Sequence, residues 1–169
     1  ESDSLFAQSR EKLQSVIHIR PDHGKAVYRL GVVLMRLAEK AERSETESAL
    51  LVQAVENFKS AVALDPGDDE AMTQWGNALA LMSRNEGDAE TLLQMAEEKY
   101  QAALDINPNN HTALNHWGHL LVYQAGGKTE AETFLGRAVE KYRLALTIKP
   151  DSAVAFDCWG RFLLILAKK

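Results

Sequence analysis

The chain has 169 residues, 46% of them apolar and 25% charged, enough for one ordinary domain or a short array of repeats. Its 19 Lys and Arg against 24 Asp and Glu leave a net charge of -5 and no basic stripe, which argues against nucleic acid or an anionic membrane as the main partner. The single cysteine, Cys158, excludes an internal disulfide and points to a reducing compartment, and no apolar run approaches the ~20 residues of a membrane span.

Taken in chain order, the first element is a helix over residues 3–20, with Leu5, Leu13, Val16, Ile17 and Ile19 ahead of Pro21. The opening Glu1-Ser2-Asp3-Ser4 is acidic and polar, unlike a signal peptide. From Pro21 onward the sequence repeats itself. The four prolines, Pro21, Pro66, Pro108 and Pro150, are separated by 45, 42 and 42 residues. Trp75, Trp117 and Trp159 are 42 apart, each followed by a glycine, and Leu30-Gly31 takes that place in the first unit. Phe58, Tyr100 and Tyr142 stand eight residues before the next proline. Several residue types on one period fix a repeat.

Each unit reads as two helices. The first opens at Ala26, Ala71, Ala113 or Ala155 and carries apolar residues at helical spacing, as in Ala71, Trp75, Ala78, Leu79 and Met82. Polar breaks follow at Glu42-Arg43-Ser44, Asn85-Glu86-Gly87-Asp88 and Gly126-Gly127-Lys128-Thr129. Ser44 with Glu47, and Thr129 with Glu132, form capping boxes that restart a helix. The second helix bears Ala54/Phe58/Ala61, Ala96/Tyr100/Ala103 or Ala138/Tyr142/Ala145 and stops at the proline, which breaks the helical ladder. The glycine sits on the apolar side of the first helix, where a missing side chain lets the neighbouring helix close in. That contact offsets the ~1 kcal/mol helix penalty of glycine. Residues 152–168 form a first helix with no second. The expected layout is therefore a half-repeat 1–21, repeats 22–66, 67–108 and 109–150, and a half-repeat 151–169, as in a fragment of a longer protein.

The pattern Ala-x3-Trp-Gly-x-x-Leu, then Ala-x3-Tyr-x2-Ala-Leu and Pro, resembles the tetratricopeptide repeat over essentially the whole chain. The usual unit has 34 residues, and the excess here lies around the inter-helix turn. Longer units with a Trp-Gly pair are similar to the plant mitochondrial outer-membrane import receptor, a divergent member. The resemblance implies an all-α, right-handed solenoid of antiparallel helix pairs, about eight helices, acting as a single domain.

No sequence motif asks for a cofactor, a metal or catalysis. Gly126-Gly127-Lys128-Thr129 imitates the end of a phosphate-binding loop but lacks the earlier glycine and the preceding strand. His111, His116 and His119 lie close in sequence without a further ligand, and Cys158 has no activating neighbour; both read as packing or solvated side chains. Acidic runs such as Asp68-Asp69-Glu70 suit helix N-termini.

Function is expected from a surface. In the tetratricopeptide family, first helices line a concave groove through the side chains three before, one after, and four to five after the glycine. Carried onto this chain, that rule selects Tyr28, Val32, Met35 and Arg36; Thr73, Asn77, Ala80 and Leu81; Asn115, His119, Val122 and Tyr123; and Asp157, Arg161, Leu164 and Ile165. The mix of polar and apolar groups suits a peptide or helix of a protein partner. The alternative within the same class is an organelle-import receptor for amphipathic presequences. A subset of the family clamps acidic chaperone tails with two lysines. The aligned residues here are Thr73, Asn77, His119, Asp157 and Arg161; Asn77 and Arg161 match, but both lysines are gone and one position is acidic, which disfavours a chaperone tail as the ligand. The expected protein is a non-enzymatic adaptor, cytoplasmic or organelle-associated, with no nucleic-acid partner and no membrane insertion by this stretch. The apolar circumference of 152–168 (Phe156, Trp159, Phe162, Leu163, Leu164, Ile165, Leu166) and the unpaired first helix predict weak self-association through the terminal helices.

Overall fold

The computed structural model describes residues 2–41, 45–84, 88–126 and 131–167. Among them are eight helices and no strand: α1 Ser2–Ile19, α2 Gly24–Lys40, α3 Glu45–Leu64, α4 Asp69–Met82, α5 Ala89–Ile106, α6 His111–Gln124, α7 Ala131–Ile148 and α8 Ala153–Ala167. The described residues form an all-α, tetratricopeptide-like fold. Ser44, Thr129 and the Gly127-Lys128-Thr129 tail, on which two capping boxes and the phosphate-loop imitation rest, lie outside the described residues.

The turn at each proline is built the same way. Two residues after the proline stands a side chain that accepts a hydrogen bond from the alanine amide three positions on: His23 Nδ1 from Ala26 at 3.2 Å, Asp68 Oδ1 from Ala71 at 2.8 Å, Asn110 Oδ1 from Ala113 at 2.8 Å, and Ser152 Oγ from Ala155 at 3.3 Å. Each satisfies a backbone donor left open at a helix start, worth about 1 kcal/mol. Asp65 and Asn107, one residue before their prolines, accept from the amides of Gly67 and Asn109, both at 3.1 Å, and tighten the turn.

The chain divides into two compact units, residues 1–99 and 100–169. In the first, α2 packs on α3 and α4. Its core joins Leu30, Leu34, Met35 and Ala38 to Leu50, Leu51, Ala54, Phe58 and Ala78. Gly31 explains the close approach: a Cβ there would lie 2.7 Å from Phe58 Cε1. Leu13 and Ile17 of α1 pack on the same core.

In the second unit, α6 packs on α7, and α8 touches both. Ala125, Ala131 and Leu135 form one cluster with Trp159 against it; Leu114, Ala145 and Ala155 form another with Leu104 and Leu146. Gly118 repeats the role of Gly31 against Tyr142, whose ring would meet a Cβ at 2.5 Å.

The tryptophans differ among themselves. Trp117 is buried, whereas Trp75 and Trp159 are half-buried. Trp75 lies under Lys99 Nζ, 4.3 Å from the ring centroid, and Trp117 under Lys141 Nζ at 3.4 Å. Each lysine stands just before the repeat tyrosine, so the ammonium caps the outer ring face, a contact of about 0.5–2 kcal/mol.

Candidate partner-binding surface

In the first unit the first helices of the repeats are α2 and α4. Tyr28 is half-buried, its ring 6.0 Å from that of Phe58 and its hydroxyl bonded to the Glu70 carboxylate. Burial, then the hydrogen bond to Glu70, then the charges of Glu70 and Asp68 hold its phenol well above the ordinary tyrosine range. One turn on, Val32 is half-buried, and Arg36 is exposed and paired with Glu39 at 2.9 Å. On α4, Asn77 Nδ2 donates to Gln74 Oε1 at 3.0 Å, and Leu81 is half-buried on the edge of the core. Val32, Asn77, Ala80 and Leu81 are half-buried, and Arg36 is exposed.

Two predicted groove residues of this unit are not on the surface. Thr73 is 1% exposed, its hydroxyl turned back to donate to the Asp69 carbonyl at 2.8 Å. Met35 is buried among Leu34, Ala38 and Leu51, so its thioether fills core space.

The second unit offers α6 and α8. Tyr123 is 49% exposed, and its neighbours His119 and Val122 on α6 are half-buried. Val122 leans on the Ala125–Leu135 cluster. On α8, Asp157 and Leu164 are exposed, and the side chains of Cys158, Arg161 and Ile165 lie outside the described residues. Asn115, also expected in the groove, is 4% exposed and reaches Ser152 Oγ at 3.5 Å. Ser152 caps α8, so Asn115 ties α6 to the start of α8. The positions three before the glycine therefore serve packing in Thr73 and Asn115 and surface in Asp157.

Among the described residues no three His, Cys, Asp or Glu side chains group as a metal would need, and His111 Nδ1 is buried without a hydrogen-bond partner. No helix among them is long and apolar enough to cross a membrane. One feature was missed in the sequence: an open groove of about 450 Å³ between α1 and α2, with Leu13, Val16, Val32 and Val33 as its apolar wall and Lys12 and Arg29 among its polar lining. Its signal was the 45-residue offset that lays α1 on α3.

The fold recurs in solved structures of low sequence identity. The crystal structure of MamA superposes with a TM-score of 0.68 at 20% identity, covering 95% of this chain and 78% of that one. TTC0263, a thermophilic tetratricopeptide protein of Thermus thermophilus, gives 0.61 at 17% identity over 98% and 93% of the two chains. YrrB, described as a tetratricopeptide protein with an unusual peptide-binding site, gives 0.50 at 20% identity over 94% and 86%. No curated protein matches the sequence. The family described as plant-specific mitochondrial import receptor subunit TOM20 matches residues 49–157, more than half of the chain. With the long Trp-Gly repeat, the tetratricopeptide-like array and that match in hand, the chain belongs to the plant-specific TOM20 family of import receptor subunits.

Proposed function

We propose that the chain is a non-enzymatic receptor module that holds an amphipathic helix of a protein partner against its first helices, and that the partner is a targeting presequence on its way into an organelle. The observation that carries this reading is the strip His119, Val122 and Tyr123 on α6, where a half-exposed aromatic stands beside an apolar residue and a hydrogen-bonding imidazole. A helix with an apolar stripe and polar flanks meets such a strip through spaced anchors. The first unit adds a similar strip in Val32, Asn77 and Leu81. Family membership supports the receptor role, and the peptide-binding site named for YrrB supports the use of this fold for peptides. The net charge of -5 favours approach of a basic ligand over an acidic one. Titration of a fluorescent amphipathic presequence peptide tests the reading. The His119→Ala, Tyr123→Ala double variant should bind at least about tenfold more weakly, as loss of an aromatic anchor implies, with an unchanged helical spectrum. Equal binding by parent and variant would remove the site from α6.

A further inference from the structure

From Ser60 to Ser83 the chain carries four carboxylates, Asp65, Asp68, Asp69 and Glu70, and no Lys, Arg or His. Asp65 accepts from the Gly67 amide in the turn, and Asp68 caps α4 through the Ala71 amide. Glu70 does neither. It is exposed in the first turn of α4 and accepts a hydrogen bond from the Tyr28 hydroxyl of α2. The two first helices of this unit are thus joined beside the strip of Val32, Asn77 and Leu81. Asn77 and Leu81 stand seven and eleven residues further along α4, about 10 and 16 Å at the rise of a helix.

Tyr28 holds that carboxylate from a rigid base. Gly31 lets Phe58 close on α2, and the fully buried Phe58 ring lies 6.0 Å from that of Tyr28. A phenol donates one hydrogen bond, whereas a carboxylate offers about four acceptor sites. Most of the acceptor capacity of Glu70 is therefore left for a ligand. Among the described residues no Lys, Arg or His forms an ion pair with Glu70, and the exposed Arg36 is taken by Glu39. The repeat spacing puts Lys25, Thr112 and Val154 in the corresponding places, so a single repeat carries a carboxylate there.

We propose, resting on the receptor reading above, that Glu70 held by Tyr28 is a specificity residue of the first unit: it receives an arginine of the bound helix while Val32 and Leu81 meet the apolar stripe. A planar guanidinium bonds both carboxylate oxygens at once, which the point charge of an ammonium does not, so arginine is preferred to lysine. Because the carboxylate is already oriented by the phenol, less side-chain freedom is lost when the ligand arrives.

A fluorescent amphipathic presequence peptide, and the same peptide with one arginine at a time replaced by uncharged citrulline, are titrated against the parent, Glu70→Gln, Tyr28→Phe and Glu56→Gln chains. In the parent one replacement should weaken binding about fivefold, the upper scale of an exposed charge contact. In Glu70→Gln the same replacement should have no effect. Tyr28→Phe keeps the ring and should bind the all-arginine peptide about twofold more weakly. Glu56→Gln removes an equal charge from an exposed position on α3 and should behave as the parent does. Circular dichroism should be the same for all four chains. If every replacement costs the same in the parent and in Glu70→Gln, the specificity role is overturned and the receptor reading stands. An equal loss in Glu56→Gln reduces the effect to net charge and also overturns it. A Tyr28→Phe chain that binds like the parent overturns the part given to the phenol. A parent that binds none of the peptides overturns both the specificity role and the receptor reading.

Discussion

Gly118→Ala and Gly160→Ala are the same substitution at equivalent repeat positions, and the structure gives them opposite signs. At Gly118 a Cβ would lie 2.5, 2.7 and 2.9 Å from Tyr142 Cε1, Cζ and Cδ1. Carbon atoms prefer about 3.5–4.0 Å, so the tyrosine ring must retreat by roughly 1 Å through a core that leaves it no exposure. Overpacking of this kind costs about 1–3 kcal/mol, while replacing a mid-helix glycine by alanine returns about 1 kcal/mol. With all three contacts under 3 Å the upper part of that range applies, about 2–3 kcal/mol, and the net expectation is a loss of about 1–2 kcal/mol. At Gly160 nothing stands within 4 Å, so only the helix gain of about 1 kcal/mol remains. Urea denaturation followed by circular dichroism, at concentrations low enough to keep the chain monomeric, should show the two midpoints moving apart. Thermal midpoints should move by roughly 2–4 °C per kcal/mol. A Gly118→Ala chain as stable as the parent would refute the idea that glycine is required for the α6–α7 approach.

Trp117→Ala should cost about 3–5 kcal/mol, since a buried ring leaves a cavity, and a variant melting like the parent would show that the ring is not core. Lys141→Met should cost about 0.5–2 kcal/mol by removing the ammonium above that ring, readable in the same urea titration. Ser152→Ala should cost about 1–2 kcal/mol, because it takes both the cap of α8 and the partner of Asn115. Tyr28 is held neutral in the fold, with its phenol above the unfolded value near pH 10. That stability is fully present below about pH 10 and is lost as pH rises beyond it, so Tyr28→Phe should flatten the alkaline decline measured by chemical denaturation.

The helix pattern was legible because its signals are local. Prolines that cannot extend a helix and glycines that face an aromatic recur on one period, and all eight helices follow from them. The capping residues His23, Asp68, Asn110 and Ser152 stand two places after each proline, but their role emerged only once the structure showed their side chains turned back on the alanine amides. The binding surface was less legible. A rule of offsets from the glycine assigns Thr73, Asn115 and Asp157 one role, yet a short threonine folds back on its own helix, an asparagine finds the cap of α8, and an aspartate stays in solvent. Which neighbours a helix meets decides exposure, and spacing within one helix does not carry that information. The groove beside α1 escaped for a related reason: it lies between two elements, and neither shows it alone.

The receptor reading is tested most directly by titrating the isotopically labelled chain with an amphipathic presequence peptide and following backbone amide shifts. Saturable changes centred on His119, Val122 and Tyr123 of α6 are expected, with α7 largely unmoved. Changes centred instead on the exposed face of α7 around Leu144, or no saturable change at all, would contradict it.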